Sequence, residues 1–173
     1  MGLDFEAVVS DFEEKIDAKL SPHKLAEKLS LGKAKSVAYK YNNAIIIAAD
    51  TFVIFNEKII GKPIDDKDAK RILRLLSGKG HSIITGFTIL DTKVNRSVTK
   101  SVETKVTFKK LSDKEIDSYI KTGEPLDKAG AYGIQEKGGI FIKKIDGDYF
   151  NIVGLPIYSV VEELKKFGVE VFG

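Results

Sequence analysis

A chain of 173 residues with 43% hydrophobic and 31% charged residues has the content of a globular unit with a real core, and is read as one domain over residues 1–173. It has no cysteine and two histidines, which excludes disulfides, thiolate metal sites, cysteine nucleophiles and a histidine-rich metal centre. Lys and Arg total 28 against 25 Asp and Glu, a net charge of +3 spread along the chain, so no basic stripe for nucleic acid is present. No apolar run reaches the roughly 20 residues of a bilayer span, and the start resembles no secretory leader; a cytoplasmic location with no membrane partner is the expectation.

Phe5 to Val9 reads as an extended start. Ser21 before Pro22 is an N-cap with proline in the first turn, opening a helix through Leu25, Leu29, Ala34 and Val37, with Gly32 as a candidate interruption. Ala44 to Ala48 is a short apolar run of the kind buried on both faces of a sheet, and Asp50 is placed at its end. Phe52–Phe55 and Lys58–Ile60, joined by Asn56-Glu57, predict a tight hairpin.

Asp65 opens a helix with Ala69, Ile72, Leu73 and Leu76 on one face and Gly78 past its end. His81 to Leu90 and Val98 to Phe108 are strands, the second alternating apolar with polar residues so that one face is wet. Ser112 and Glu115 form a capping box ahead of Ile116, Tyr119 and Ile120, and Gly123 stops that helix. After a glycine-studded loop, Ile140 to Ile145 is strand-like, and Pro156 opens a last helix. Helices and strands in this order predict an α/β fold with a mixed twisted sheet and flanking helices.

Four clusters interrupt these elements: Ala49-Asp50-Thr51, Gly61-Lys62-Pro63, Gly123 to Gln135 and Gly147 to Pro156. Their residue types suit phosphate chemistry. A carboxylate at a strand end can hold a hard cation or activate water, and lysines on glycine-flanked turns neutralise phosphate oxygens. Taken singly, Asp50 and Thr51 equally describe a turn, Lys62 a turn lysine, Lys33 a solvated helix residue and Glu14 part of a wet acidic run.

In order and spacing, Ala48 to Val53, Gly61-Lys62-Pro63, Leu76-Ser77-Gly78 with His81 and Thr85-Gly86, Gly123-Glu124-Pro125, Asp127 to Gln135 and Asn151 to Pro156 resemble the Maf family over nearly the whole chain. The resemblance implies an architecture shared with inosine triphosphate pyrophosphatases. It also implies hydrolysis of a nucleoside triphosphate to monophosphate and pyrophosphate with Mg²⁺ or Mn²⁺, homodimers, and a link to septum formation and division arrest. Carried over by position, it makes Asp50 the base or metal-linked carboxylate and Glu14 a second metal ligand. Lys33 and Lys62 become contacts to the phosphates or the reactive water, and Thr51 and Gln135 become markers of the dTTP/UTP branch. The same two markers argue against the inosine or xanthosine triphosphate class.

Members of that family normally begin with a strand entering a Ser-x-Ser-Pro-Arg-Arg loop and a helix; the resemblance here resumes at Met1, without that segment. The expectation is an internal methionine taken as the start. The competing reading is a catalytically impaired nucleotide-binding or regulatory protein, because lost arginines would weaken the grip on phosphate.

Overall fold

A computed structural model describes residues 2–171. The elements run α1 (Pro22–Ala38), β1 (Ile45–Phe55), β2 (Lys58–Ile60), α2 (Asp66–Leu76), β3 (Gly80–Asp91), β4 (Arg96–Phe108), α3 (Asp113–Ile120), β5 (Ile142–Asp146), α4 (Tyr149–Val153) and α5 (Ile157–Leu164). The strands form one sheet in the order β2-β1-β3-β4-β5, and the pairs β1–β2 and β4–β5 are antiparallel. The α/β expectation, a sheet with flanking helices, is what the chain forms.

Local chemistry explains most boundaries. The Ser21 side chain accepts from the Lys24 amide and Pro22 begins α1, so one orphan donor of the first turn is satisfied and the proline loses nothing there. Asp65 caps α2 by accepting from the Asp68 amide at 2.7 Å. Ser112 and Glu115 complete both bonds of the capping box on α3. The β1–β2 hairpin turns through Asn56 and Glu57 with φ of 48° and 64°, the left-handed pair that matches strand twist. It sets the register Val53↔Ile60 and Phe55↔Lys58.

Four expectations change. Phe5 to Val9 joins no strand. Gly32 does not interrupt α1; a Cβ there would lie 2.2 Å from the Phe12 ring, so the glycine serves close packing of the N-terminal segment on the helix. Asp50 does not end its strand. β1 continues through the β-favouring Thr51, Phe52 and Val53 to Phe55, which puts Asp50 at its middle. Nor is the run Ala44 to Ala48 buried on both faces: it is half-buried.

The described residues fall into two compact units. The first comprises residues up to Thr51, Thr85–Val102 and Gly154 onward, and the second Phe52–Ile84 and Glu103–Val153. In the first, Phe87, Ile89, Val160 and Leu164 form a core, and α1 lies so close to β3 that a Cβ on Gly86 would fall 2.2 Å from the Ala26 carbonyl carbon. In the second, Leu73, Leu76, Val106 and Phe108 are buried together, and α2 is tied to α3 by Arg74–Asp113 at 2.9 Å and by Lys70–Asp117. Buried within the second unit, the His81 ring shares a hydrogen bond through Nε2 with the Tyr132 hydroxyl at 2.9 Å. Desolvation lowers its pKa to about 4.

Two outcomes follow from this packing. Gly86→Ala forces backbone against backbone, with no flexible side chain to yield. It is expected to cost about 2 kcal/mol and to lower Tm by roughly 4–8 °C in calorimetry. His81 binds its proton more weakly in the folded chain than in the unfolded one. Stability is therefore fully present above pH 6.5 and is lost as pH falls toward 4. Urea titrations should show a loss of about 2 kcal/mol between pH 7 and pH 5 from this group, absent in His81→Asn.

Candidate active site

Glu14, Lys33 and Asp50 meet in the first unit. The Lys33 ammonium, delivered from the middle of α1, lies 2.6 Å from Asp50 Oδ1 and 2.8 Å from Glu14 Oε1. The Asp50 side chain is 12% exposed, that of Lys33 20% and that of Glu14 51%, so charge becomes more screened from Asp50 outward. The trio carries two negative charges and one positive. Asp50 Oδ2 is buried and has no hydrogen-bond partner among the described residues.

Burial raises the Asp50 pKa above its ordinary value of 3.8 and nearby Glu14 pushes the same way, while the bond to Lys33 pulls it down without cancelling the rise. For Lys33, burial acts to lower the pKa, but hydrogen bonds to Asp50 and Glu14 outweigh it and hold the ammonium above its ordinary range. A carboxylate with raised proton affinity and a fixed ammonium beside it can accept a proton from water and neutralise an anion.

Next to Asp50, the Thr51 hydroxyl is 2.8 Å from the Thr85 hydroxyl, and Thr85 is fully buried. Gly154, with φ of 117°, passes close to Thr51: a Cβ on it would lie 3.6 Å from Oγ1. The role of Thr85 as a support for Thr51 is not evident from the sequence; its one trace is a hydroxyl inside the run Ile83-Ile84-Thr85-Gly86-Phe87. Lys62 and Gln135 belong to the second unit, where both are exposed on loops. There, a carboxylate that the sequence reading left without a role, Glu124, accepts from the Lys137 and Gly138 amides at 3.1 and 2.9 Å.

Among the described residues there is no group of three or more His, Asp or Glu able to hold a metal by themselves, so an all-protein calcium cage is not what they offer. Two carboxylates, one with an unused buried oxygen, and a residual negative charge fit a magnesium-type ion. Such an ion keeps several waters and takes remaining ligands from substrate phosphates. No helix among the described residues is long and apolar enough to cross a membrane.

An acid held against a lysine at mid-strand marks this α/β protein by a buried acid–lysine pair, its candidate site. The chain belongs to the Maf family, matching it as a Maf-like protein over residues 1–167. Similar proteins include a Bacillus cereus dTTP/UTP pyrophosphatase, 48% identical over 98% of this chain and 83% of that protein. A Bacillus mycoides protein of the same name is 48% identical over 96% of this chain and 86% of its own. One from Bacillus thuringiensis subsp. konkukian is 46% identical, with 98% and 88% covered.

Proposed function

We propose that the chain is a nucleoside triphosphate pyrophosphatase that converts dTTP and UTP to the monophosphate and pyrophosphate. The observation that carries this reading is the Glu14–Lys33–Asp50 trio, with its unused buried oxygen at Asp50. The name dTTP/UTP pyrophosphatase borne by relatives 46–48% identical supports it.

In this reading Asp50 is the general base. It takes a proton from a water whose oxygen bonds to the α phosphorus; the bond from that phosphorus to the bridging oxygen breaks, and pyrophosphate leaves with the electron pair. Lys33 and Lys62 neutralise phosphate oxygens, since phosphoryl transfer needs positioning and charge neutralisation more than covalent help. Asp50 and Glu14 would hold Mg²⁺ or Mn²⁺, which when bound supplies further charge neutralisation. Thr51 and Gln135 select the base: a neutral amide offers both a donor and an acceptor, as the edge of uracil or thymine requires. A cytoplasmic homodimer with a part in septum formation belongs to the same proposal.

Incubation with dTTP, UTP or ITP and Mg²⁺ or Mn²⁺ should yield pyrophosphate with the pyrimidine monophosphate, and UTP should outcompete ITP. Orthophosphate as the sole product, or no turnover at all, would sink the reading. Asp50→Asn should lower kcat by about 10²- to 10⁴-fold while the far-UV circular dichroism stays unchanged.

The pH profile gives a second check. Because burial holds the Asp50 pKa above 3.8, the acid limb of kcat/KM should lie above that value. Lys33→Met removes the ammonium that pulls the pKa down, so the limb of the residual activity should move to higher pH. A limb that stays in place would assign it to another group.

A further inference from the structure

Gln135 sits at the tip of a turn whose two ends are both tied to one carboxylate. Glu124 Oε1 accepts from the Tyr119 hydroxyl at 2.7 Å and from the Gly138 amide at 2.9 Å, and Oε2 accepts from the Lys137 amide at 3.1 Å. On the other side of Gln135, the Gly133 amide donates to the same Tyr119 hydroxyl at 3.3 Å. Glu124 and Tyr119 thus hold the backbone two residues before Gln135 and two and three residues after it. The Lys137 and Gly138 amides open a 3₁₀ turn, Lys137–Phe141, and would otherwise be unpartnered donors.

The turn is also closed on itself. A Cβ at Gly138 would lie 2.5 Å from the Tyr119 hydroxyl, and one at Gly139 would lie 2.5 Å from the Ile134 carbonyl oxygen. Tyr119 is itself buried, so the hydroxyl that joins both ends is fixed by packing in α3. Outside the clamp, Lys128 pairs with Glu136 at 3.2 Å, the residue next to Gln135. The Gln135 side chain is exposed and takes part in none of these bonds. A fixed backbone beneath an unengaged amide is the arrangement of a group held ready for a ligand, since directional recognition fails when the supporting shell is loose.

We propose that Glu124 is a positioning residue that sets nucleobase selectivity by clamping both ends of the turn that carries Gln135. The proposal rests on Gln135 being the base-contacting amide. It assigns Glu124 no part in the bond-breaking step.

The test uses equilibrium binding to the full chain of the non-hydrolysable α,β-methylene analogues of UTP and ITP, so that it does not depend on turnover. Glu124→Ala should weaken binding of the UTP analogue by about tenfold and that of the ITP analogue by less than about twofold, since misplacing a paired polar group penalises only the ligand that uses it. Hydrogen exchange at the Lys137 and Gly138 amides should accelerate in the same variant. Glu124→Gln, which keeps a carbonyl acceptor, should fall between Glu124→Ala and the unaltered chain. Tyr119→Phe, which removes only the shared hydroxyl, should lower the preference in the same direction and serves if Glu124→Ala does not fold.

Gln135→Ala separates the two layers of the inference. If it lowers the preference for the UTP analogue while Glu124→Ala and Tyr119→Phe leave that preference intact, the positioning role is overturned. If Gln135→Ala itself leaves the preference unchanged, the base-contact reading fails and the proposal falls with it.

Discussion

The ammonium of Lys33, shared between Asp50 and Glu14, is the interaction on which the candidate site depends. At a separation of about 4 Å and an effective dielectric constant of about 20, a pair of unit charges is worth about 4 kcal/mol before desolvation is counted. Asp50 and Lys33 are largely withdrawn from water and Glu14 is not, so the inner pair sets the geometry and the outer carboxylate adjusts the charge. Removing the lysine would leave a buried carboxylate without its counter-charge, which is the costly way to break such a pair.

That geometry is inherited from how α1 is seated. Gly32, next to Lys33, admits the Phe12 ring against the helix, and Gly86 admits the helix backbone against β3. Gly32 thus seats the N-terminal segment that carries Glu14 against the helix that carries Lys33, whose ammonium reaches both Glu14 and Asp50. The same principle recurs in the second unit. There Gly138 and Gly139 let a turn fold tightly around Tyr119 and Ile134, and one carboxylate, Glu124, satisfies the donors that this tight turn leaves over.

Much of the fold is legible without coordinates because the signals are local. Ser21 with Pro22, Asp65, and Ser112 with Glu115 mark helix starts whose hydrogen bonds form as the residue types require. Asn56-Glu57 marks the hairpin. Less legible is the stretch from Gly123 to Phe141, whose 3₁₀ turns arise from glycine conformations and side-chain clamps that carry no hydrophobic period. Asp50 is misplaced by pattern reading for a related reason: a charge inside an apolar run looks like a terminus unless its counter-charge, seventeen positions away in Lys33, is known.

Residue types and their order determined the α/β class, the helix caps, the hairpin and the identity of the acids and lysines, because each rests on chemistry between neighbours within a few positions. The tertiary structure alone decided that Glu14, Lys33 and Asp50 form a single charge cluster, that Thr85 stands behind Thr51, and that Glu124 with Tyr119 holds the turn around Gln135. Those contacts join residues brought together by chain packing, and the energy of a hydrogen bond or an ion pair depends on distance and burial, which no linear spacing encodes.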